Sequence, residues 1–187
     1  MAAASADDFS FMDRQFGRKP GDKDGGDKFE PNLVFVIMSF GGQGMDDTFS
    51  AIRDECAKLG LRAVRADDNA GSGFIIKEIV EAIESAEFII CDLTHERPNV
   101  YYELGYAHGV GNQPLNMLLV ANEGTTLHFD IMPLRVRFYA STEHLRTIIS
   151  TNLQRMMELT RKPGETPPRA ARPANARRTP TKRPRKP

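Results

Sequence analysis

Two carboxylates stand close together near the middle of this 187-residue chain: Asp92 near the end of the apolar run EFIICDLT, and Glu103 in NVYYELGYAHG. A carboxylate that closes a buried run is costly unless it is hydrogen-bonded or used. A glutamate in the first turn of a helix has its ionised form favoured by the helix dipole and by free N–H groups. That expectation makes Glu103 a nucleophile or electrostatic stabiliser rather than a general acid. Cleavage of a glycosidic bond uses such a pair, one carboxylate attacking or shielding an oxocarbenium-like centre. The same residues also have a structural reading, in which Asp92 caps the next turn and Glu103 only complements the dipole.

Other residues cluster around these two in sequence. Ser39 and Phe40 end the first apolar run and offer a surface for a sugar or base. Arg65 and Asp67 follow the second run, where they either hold a ribose or base or pair with each other. Asn99 is expected to cap the helix that carries Glu103. Tyr101 and Tyr102 flank the glutamate, one to cover a sugar and the other to pack. His108 reads as a partly buried, hydrogen-bonded ring. Cys56 and Cys91 lie within apolar stripes as inert thiols, and two cysteines make neither a disulfide framework nor a four-ligand zinc site. No spacing supports a metal, and no cofactor is expected. Gly42, Gly44 and Asp47 give G-x-G-x-x-D, so the third glycine of a dinucleotide fingerprint is missing. Asp46 and Asp47 would repel a pyrophosphate at that helix start.

The elements that must position these groups alternate. NLVFVIMSF (32–40), LRAVRADD (61–68), EFIICDLT (87–94), LNMLLVAN (115–122) and LRVRFYA (134–140) read as strands. Between them MDDTFSAIRDECAKLG, FIIKEIVEAIESA and NVYYELGYAHGVG carry helical periodicity, and TEHLRTIISTNLQRMMELT follows a capping Ser141. This pattern predicts an α/β fold, a flavodoxin- or Rossmann-like three-layer sandwich with a mostly parallel sheet of about five strands. Ligands of such sheets bind at the carboxyl ends of the strands, where the residues named above fall. The linker ANEGTTLHFDIM, with His128, Phe129 and Asp130, either covers a pocket or crosses the surface.

The formal charge of zero is a sum of unlike parts. Residues 1–31 carry 5 basic and 7 acidic side chains, residues 32–160 carry 10 and 17, and residues 161–187 carry 10 and 1. The last stretch holds 7 of the 12 prolines and no Ile, Leu, Val, Phe, Met or Tyr. Such a segment cannot bury enough apolar surface to offset its ordering entropy. The expected organisation is a flexible arm (1–31), one α/β domain (32–160) and a disordered basic tail (161–187). The tail would attract polyanions nonspecifically, or else lie solvated or against the acidic body. No apolar run approaches the ~20 residues of a membrane-spanning helix, and the N-terminus has no secretory pattern. These features predict a cytoplasmic protein.

The run CDLTHERPNVYYELGYAHG, with VFVIMSF before it and FDIMPLRVRFYA after it, resembles the nucleoside 2-deoxyribosyltransferase-like superfamily. More narrowly, it is similar to a bacterial branch related to TIR-like domains that cleave nucleotides or NAD. The resemblance covers roughly residues 32–140. It implies that Glu103 is a nucleophile forming a glycosyl-enzyme intermediate, and that Asp92 binds the sugar or protonates the leaving base. It also implies that Phe40 packs on the base, with Ser39 where proline is more frequent, and that subunits associate to complete their sites. The transferases carry D-x-G-T before their glutamate; here Arg97-Pro98-Asn99-Val100 stands instead. Arg97 in place of an acid argues against deoxyribosyl transfer, and it either holds a phosphate of the ligand or is a loop arginine in solvent. The resulting expectation is hydrolysis or transfer at an N-glycosidic bond of a nucleotide, nucleoside or NAD-like molecule, with a non-catalytic nucleotide-binding domain as the alternative.

Overall fold

The computed structural model describes residues 29–41, 44–66 and 75–161. Within them, β1 (Glu30–Ile37), β2 (Arg62–Arg65), β3 (Ala86–Asp92), β4 (Met117–Asn122) and β5 (Val136–Tyr139) form one sheet. Its order is β2-β1-β3-β4-β5 and every pairing is parallel. The helices are α1 (Met45–Lys58), α2 (Ile75–Ser85), α3 (Pro98–Gly109) and α4 (Thr142–Thr160). The expected α/β, flavodoxin- or Rossmann-like sandwich is the architecture of the chain.

Alternation along the strands explains why the apolar runs are unbroken: each strand feeds two cores. Val34, Val36, Phe88, Ile90 and Val120 meet Phe49 and Ile52 of α1 and Leu145, Ile149 and Leu153 of α4 on one face. Phe35, Ile37, Ile89, Cys91 and Leu119 meet Ile83 of α2 and Val100, Leu104 and Ala107 of α3 on the other. The linker between β4 and β5 lies against this second face, with Leu127, Ile131 and Leu134 packed on its core. Ser141 caps α4 as expected, its hydroxyl accepting from the His144 N–H at 3.2 Å.

The strand order reverses between β1 and β3, and a crevice opens beyond their carboxyl ends at such a reversal. The segment leaving β1 carries Ser39 and Phe40; the segment leaving β3 carries Leu93 to Arg97 and leads directly into α3. That second turn is tight: Glu96 takes a left-handed backbone (φ 45°), and its N–H donates to the Leu93 carbonyl.

Several boundaries differ from the sequence reading. β1 starts two residues early and holds Asn32 at φ 65°, where its register against β3 shifts. α3 starts at Pro98, which suits a first helical position, and Arg97 is the N-cap. Asn99 is therefore inside the helix and does not cap it. Residues 67–74, with Asp67 and the NAGSG loop, lie outside the described residues, as do 1–28 and 162–187.

Candidate active site

Asp92 is buried, 3% exposed, on the face shared with α1 and α4. Its Oδ1 accepts from the Thr94 N–H at 2.8 Å, the turn-capping contact that the structural reading anticipates. Its Oδ2 accepts from the Tyr139 hydroxyl at 2.9 Å. Thr94 Oγ1 lies 3.0 Å from the same tyrosine oxygen and accepts from the Asn122 N–H at 3.0 Å. Asp92, Thr94, Asn122 and Tyr139 thus knit together the ends of β3, β4 and β5. Burial raises the Asp92 carboxyl above its usual range, while the bonds from Thr94 and Tyr139 pull the other way. Burial and the neighbouring Asp92 push the Tyr139 hydroxyl well up, so it remains a donor.

Glu103 approaches the same strand end from the other side. It lies on the face of α3 that turns toward the second core, beside Leu104, and is 7% exposed. Burial pushes its carboxyl up to about 7, against a hydrogen bond from the Asn99 side chain that favours the ionised form. This corrects the expectation of a dipole-stabilised carboxylate in the first turn. Glu103 is the sixth residue of α3, about 7.5 Å along its axis, and the dipole acts mainly within the first turn. Desolvation prevails because no cation pairs with Glu103 among the described residues. The two carboxylates therefore flank the end of β3 from opposite faces. Cys91 stands between them, and its thiol is pushed well up by burial first and by both acids second. Cys56 is likewise raised by burial, to about 12, so both cysteines are the inert thiols their positions imply.

The other residues singled out in the sequence divide. Ser39 is buried and Phe40 is 42% exposed at the end of β1. The Arg65 guanidinium stacks 5.7 Å from the Phe40 ring and 4.6 Å from that of Phe49. Its Nη2 donates to Asp46 Oδ1 at 3.0 Å, so among the described residues its acid is at the start of α1. Arg97 is exposed at the N-terminus of α3, and Asn99 is exposed with its side chain committed to Glu103. Tyr102 is 68% exposed beside the glutamate, whereas Tyr101 is half-buried and packs against the linker near His128. His108 is half-buried, and burial lowers it, leaving a neutral ring at pH 7. Among the described residues, no group of three His, Cys, Asp or Glu side chains gathers to hold a metal.

Sequence reasoning missed Tyr139 and Thr94, which bracket Asp92. Tyr139 lies 47 residues away, and only the adjacency of β4 and β5 to β3 brings it there. The one available signal was a tyrosine at the carboxyl end of a strand in a parallel sheet.

A scan against models of known protein families finds no match for the chain, and neither does a search of curated proteins. Among solved structures it is similar to the CMP N-glycosidase BcmB of Clostridium botulinum, at 16% identity and a TM-score of 0.53, over 64% of this chain and 98% of that one. It is also similar to a mutant of the flavo di-iron protein from Thermotoga maritima, at 16% identity and a TM-score of 0.50, over 69% of this chain but only 36% of that one. At these identities the likeness is one of fold.

Proposed function

We propose that the chain hydrolyses the N-glycosidic bond of a nucleotide or a related nucleoside or NAD-like molecule, with Glu103 as its nucleophile. The observation that carries this reading is Glu103 itself: a carboxyl buried at the crevice rim, unpaired by any described cation and held near neutrality. A structural glutamate gains nothing from such a position, whereas a nucleophile poised near working pH does. The likeness of the Asn-Val-Tyr-Tyr-Glu-Leu-Gly run to deoxyribosyltransferase-like enzymes, and a fold shared with a CMP N-glycosidase, support the same assignment.

In this mechanism the ionised Glu103 attacks the anomeric carbon as its bond to the base nitrogen breaks, and the base leaves with a proton from solvent or from a neighbouring acid. Water then cleaves the glycosyl ester, releasing the sugar and restoring the carboxylate. Phe40 and Tyr102 supply exposed rings for the base and sugar. Arg97, at the positive end of α3, takes a phosphate, and Ser39, Arg65, Asp67 and Asn99 complete the binding surface. Both oxygens of Asp92 already accept from the protein, so its role is to position the loop between β3 and α3.

That commitment of Asp92 also favours a second reading, a nucleotide-binding domain without turnover. Chromatography of the purified protein incubated with a panel of nucleotides, nucleosides and NAD separates the two. Free base above the level of a Glu103→Gln control is the expected result. Saturable binding with ligand recovered intact would establish the second reading instead.

A further inference from the structure

A cavity of about 360 Å³ lies along the first halves of β4 and β5, and neither Asp92 nor Glu103 lines it. The lining includes Arg135 and Arg137 at the beginning of β5, Arg155 on α4, and Met117 and Met156. Its volume falls within the range of small-molecule sites. Arg137 is in register with Val120, and Val120 with Asp92, so two strand spacings, about 10 Å, separate the backbone of this lining arginine from that of Asp92.

The chemistry of the lining is one-sided. No lining residue is acidic, although residues 32–160 carry 17 acidic side chains against 10 basic. Arg135, Arg137 and Arg155 are exposed and form no ion pair among the described residues, unlike Arg146 and Arg161, which are tied to carboxylates. Arg135 and Arg137 are two residues apart at an edge strand, about 7 Å along it and on the same side. In water such a pair repels by only about 0.6 kcal/mol, so the cluster survives empty but concentrates its charge on any anion that enters. Guanidinium forks suit phosphate oxygens bidentately. The rest of the lining is largely apolar, with Met117 from the core on the α3 side and Met156 from the core on the α4 side, flexible thioethers that adapt to a ring or chain of varied shape. The His108 ring also lines the cavity and is neutral at pH 7, so it adds contact without charge.

We propose that this cavity is a second ligand site, built for a small phosphate monoester carried on an apolar or aromatic body. The arginines hold the dianion at the mouth while the body lies on Met117 and Met156. The site does not depend on the role assigned to Glu103.

The test uses the full chain with methyl-labelled methionine and three probes: phenyl phosphate, inorganic phosphate and phenol. Phenyl phosphate should shift the Met117 and Met156 methyl signals saturably and bind at least about tenfold more tightly than either fragment alone. The double change Arg135→Gln with Arg137→Gln should weaken it about tenfold or more, while Glu103→Gln and Arg97→Gln leave it unchanged. Both arginines are exposed, so the fold should hold, as circular dichroism would show. If that variant unfolds, Arg155→Gln carries the same comparison. Absence of saturable shifts at both methionines, equal affinity for phenol or phosphate alone, or affinity unchanged by loss of the arginines would overturn the proposal.

Discussion

Glu103 combines burial with a carboxyl near 7, and that combination has measurable consequences in both rate and stability. If the ionised form attacks, kcat/KM for base release should rise about tenfold per pH unit below 7 and level off above it. Replacing Glu103 with Gln should lower turnover by about a thousandfold or more while the circular dichroism spectrum stays that of the parent. The same substitution should stabilise the protein at alkaline pH. Between its ordinary value of 4.5 and about 7 the native carboxyl holds a proton that the unfolded chain has released. The parent therefore loses stability as pH rises through that window. Urea denaturation at pH 8 should show Glu103→Gln to be more stable by up to about 3 kcal/mol, with the gap closing near pH 4.5. A gap that does not close at low pH would assign the effect to something other than this ionisation.

At the scale of elements, the crevice depends on the ends of β3, β4 and β5 being held in step by a network that uses both oxygens of Asp92. Tyr139→Phe removes the donor to Oδ2 and leaves a buried acceptor short of a partner. Denaturant unfolding should show a loss of about 1–3 kcal/mol. Under the proposed function, release of base should fall as well, since the loop that leads into α3 starts from Asp92. β1, β3 and β4 were legible because each holds an unbroken apolar run, as burial on two faces demands, whereas the edge strands β2 and β5 carry arginines. Helix ends were less so. Asn99 looks like a cap in sequence, yet Pro98 takes the first helical position and moves Glu103 two residues, about 3 Å, farther from the helix start. That shift weakens the dipole's hold on Glu103 and leaves burial to set its charge state.

At the scale of the whole molecule, the two ends of the described chain are fastened to the same place. Arg161 donates to both oxygens of Glu87, at 2.8 and 2.9 Å, and to Asn32 Oδ1 at 3.0 Å. It links the end of α4 to the starts of β3 and β1. Both partners are largely shielded, so Arg161→Ala leaves Glu87 with an uncompensated charge. Urea unfolding should register a cost of about 2 kcal/mol. Beyond Arg161 the sequence is strongly basic, while the α/β body is acidic. Deleting 162–187 should abolish retention on a nucleic-acid column at low salt; unchanged retention would remove polyanion binding from that segment's account.

The amino-acid sequence by itself determined the layer architecture, because alternating apolar runs and helical stripes admit few arrangements of a parallel sheet. It also singled out Asp92, a carboxylate closing an apolar run, and Glu103, near a helix start, while leaving a structural reading open for both. Only the tertiary structure decided what each carboxylate is. Side-chain alternation sends Asp92 to the face of Tyr139, where donors saturate it, and α3 brings Glu103 to the opposite face, where nothing charged relieves its burial. Desolvation and hydrogen-bond partners are properties of neighbours distant in sequence, and they set the protonation state on which any chemistry here depends. The same holds for Arg135, Arg137 and Arg155, whose convergence on one cavity depends on β5 lying beside α4.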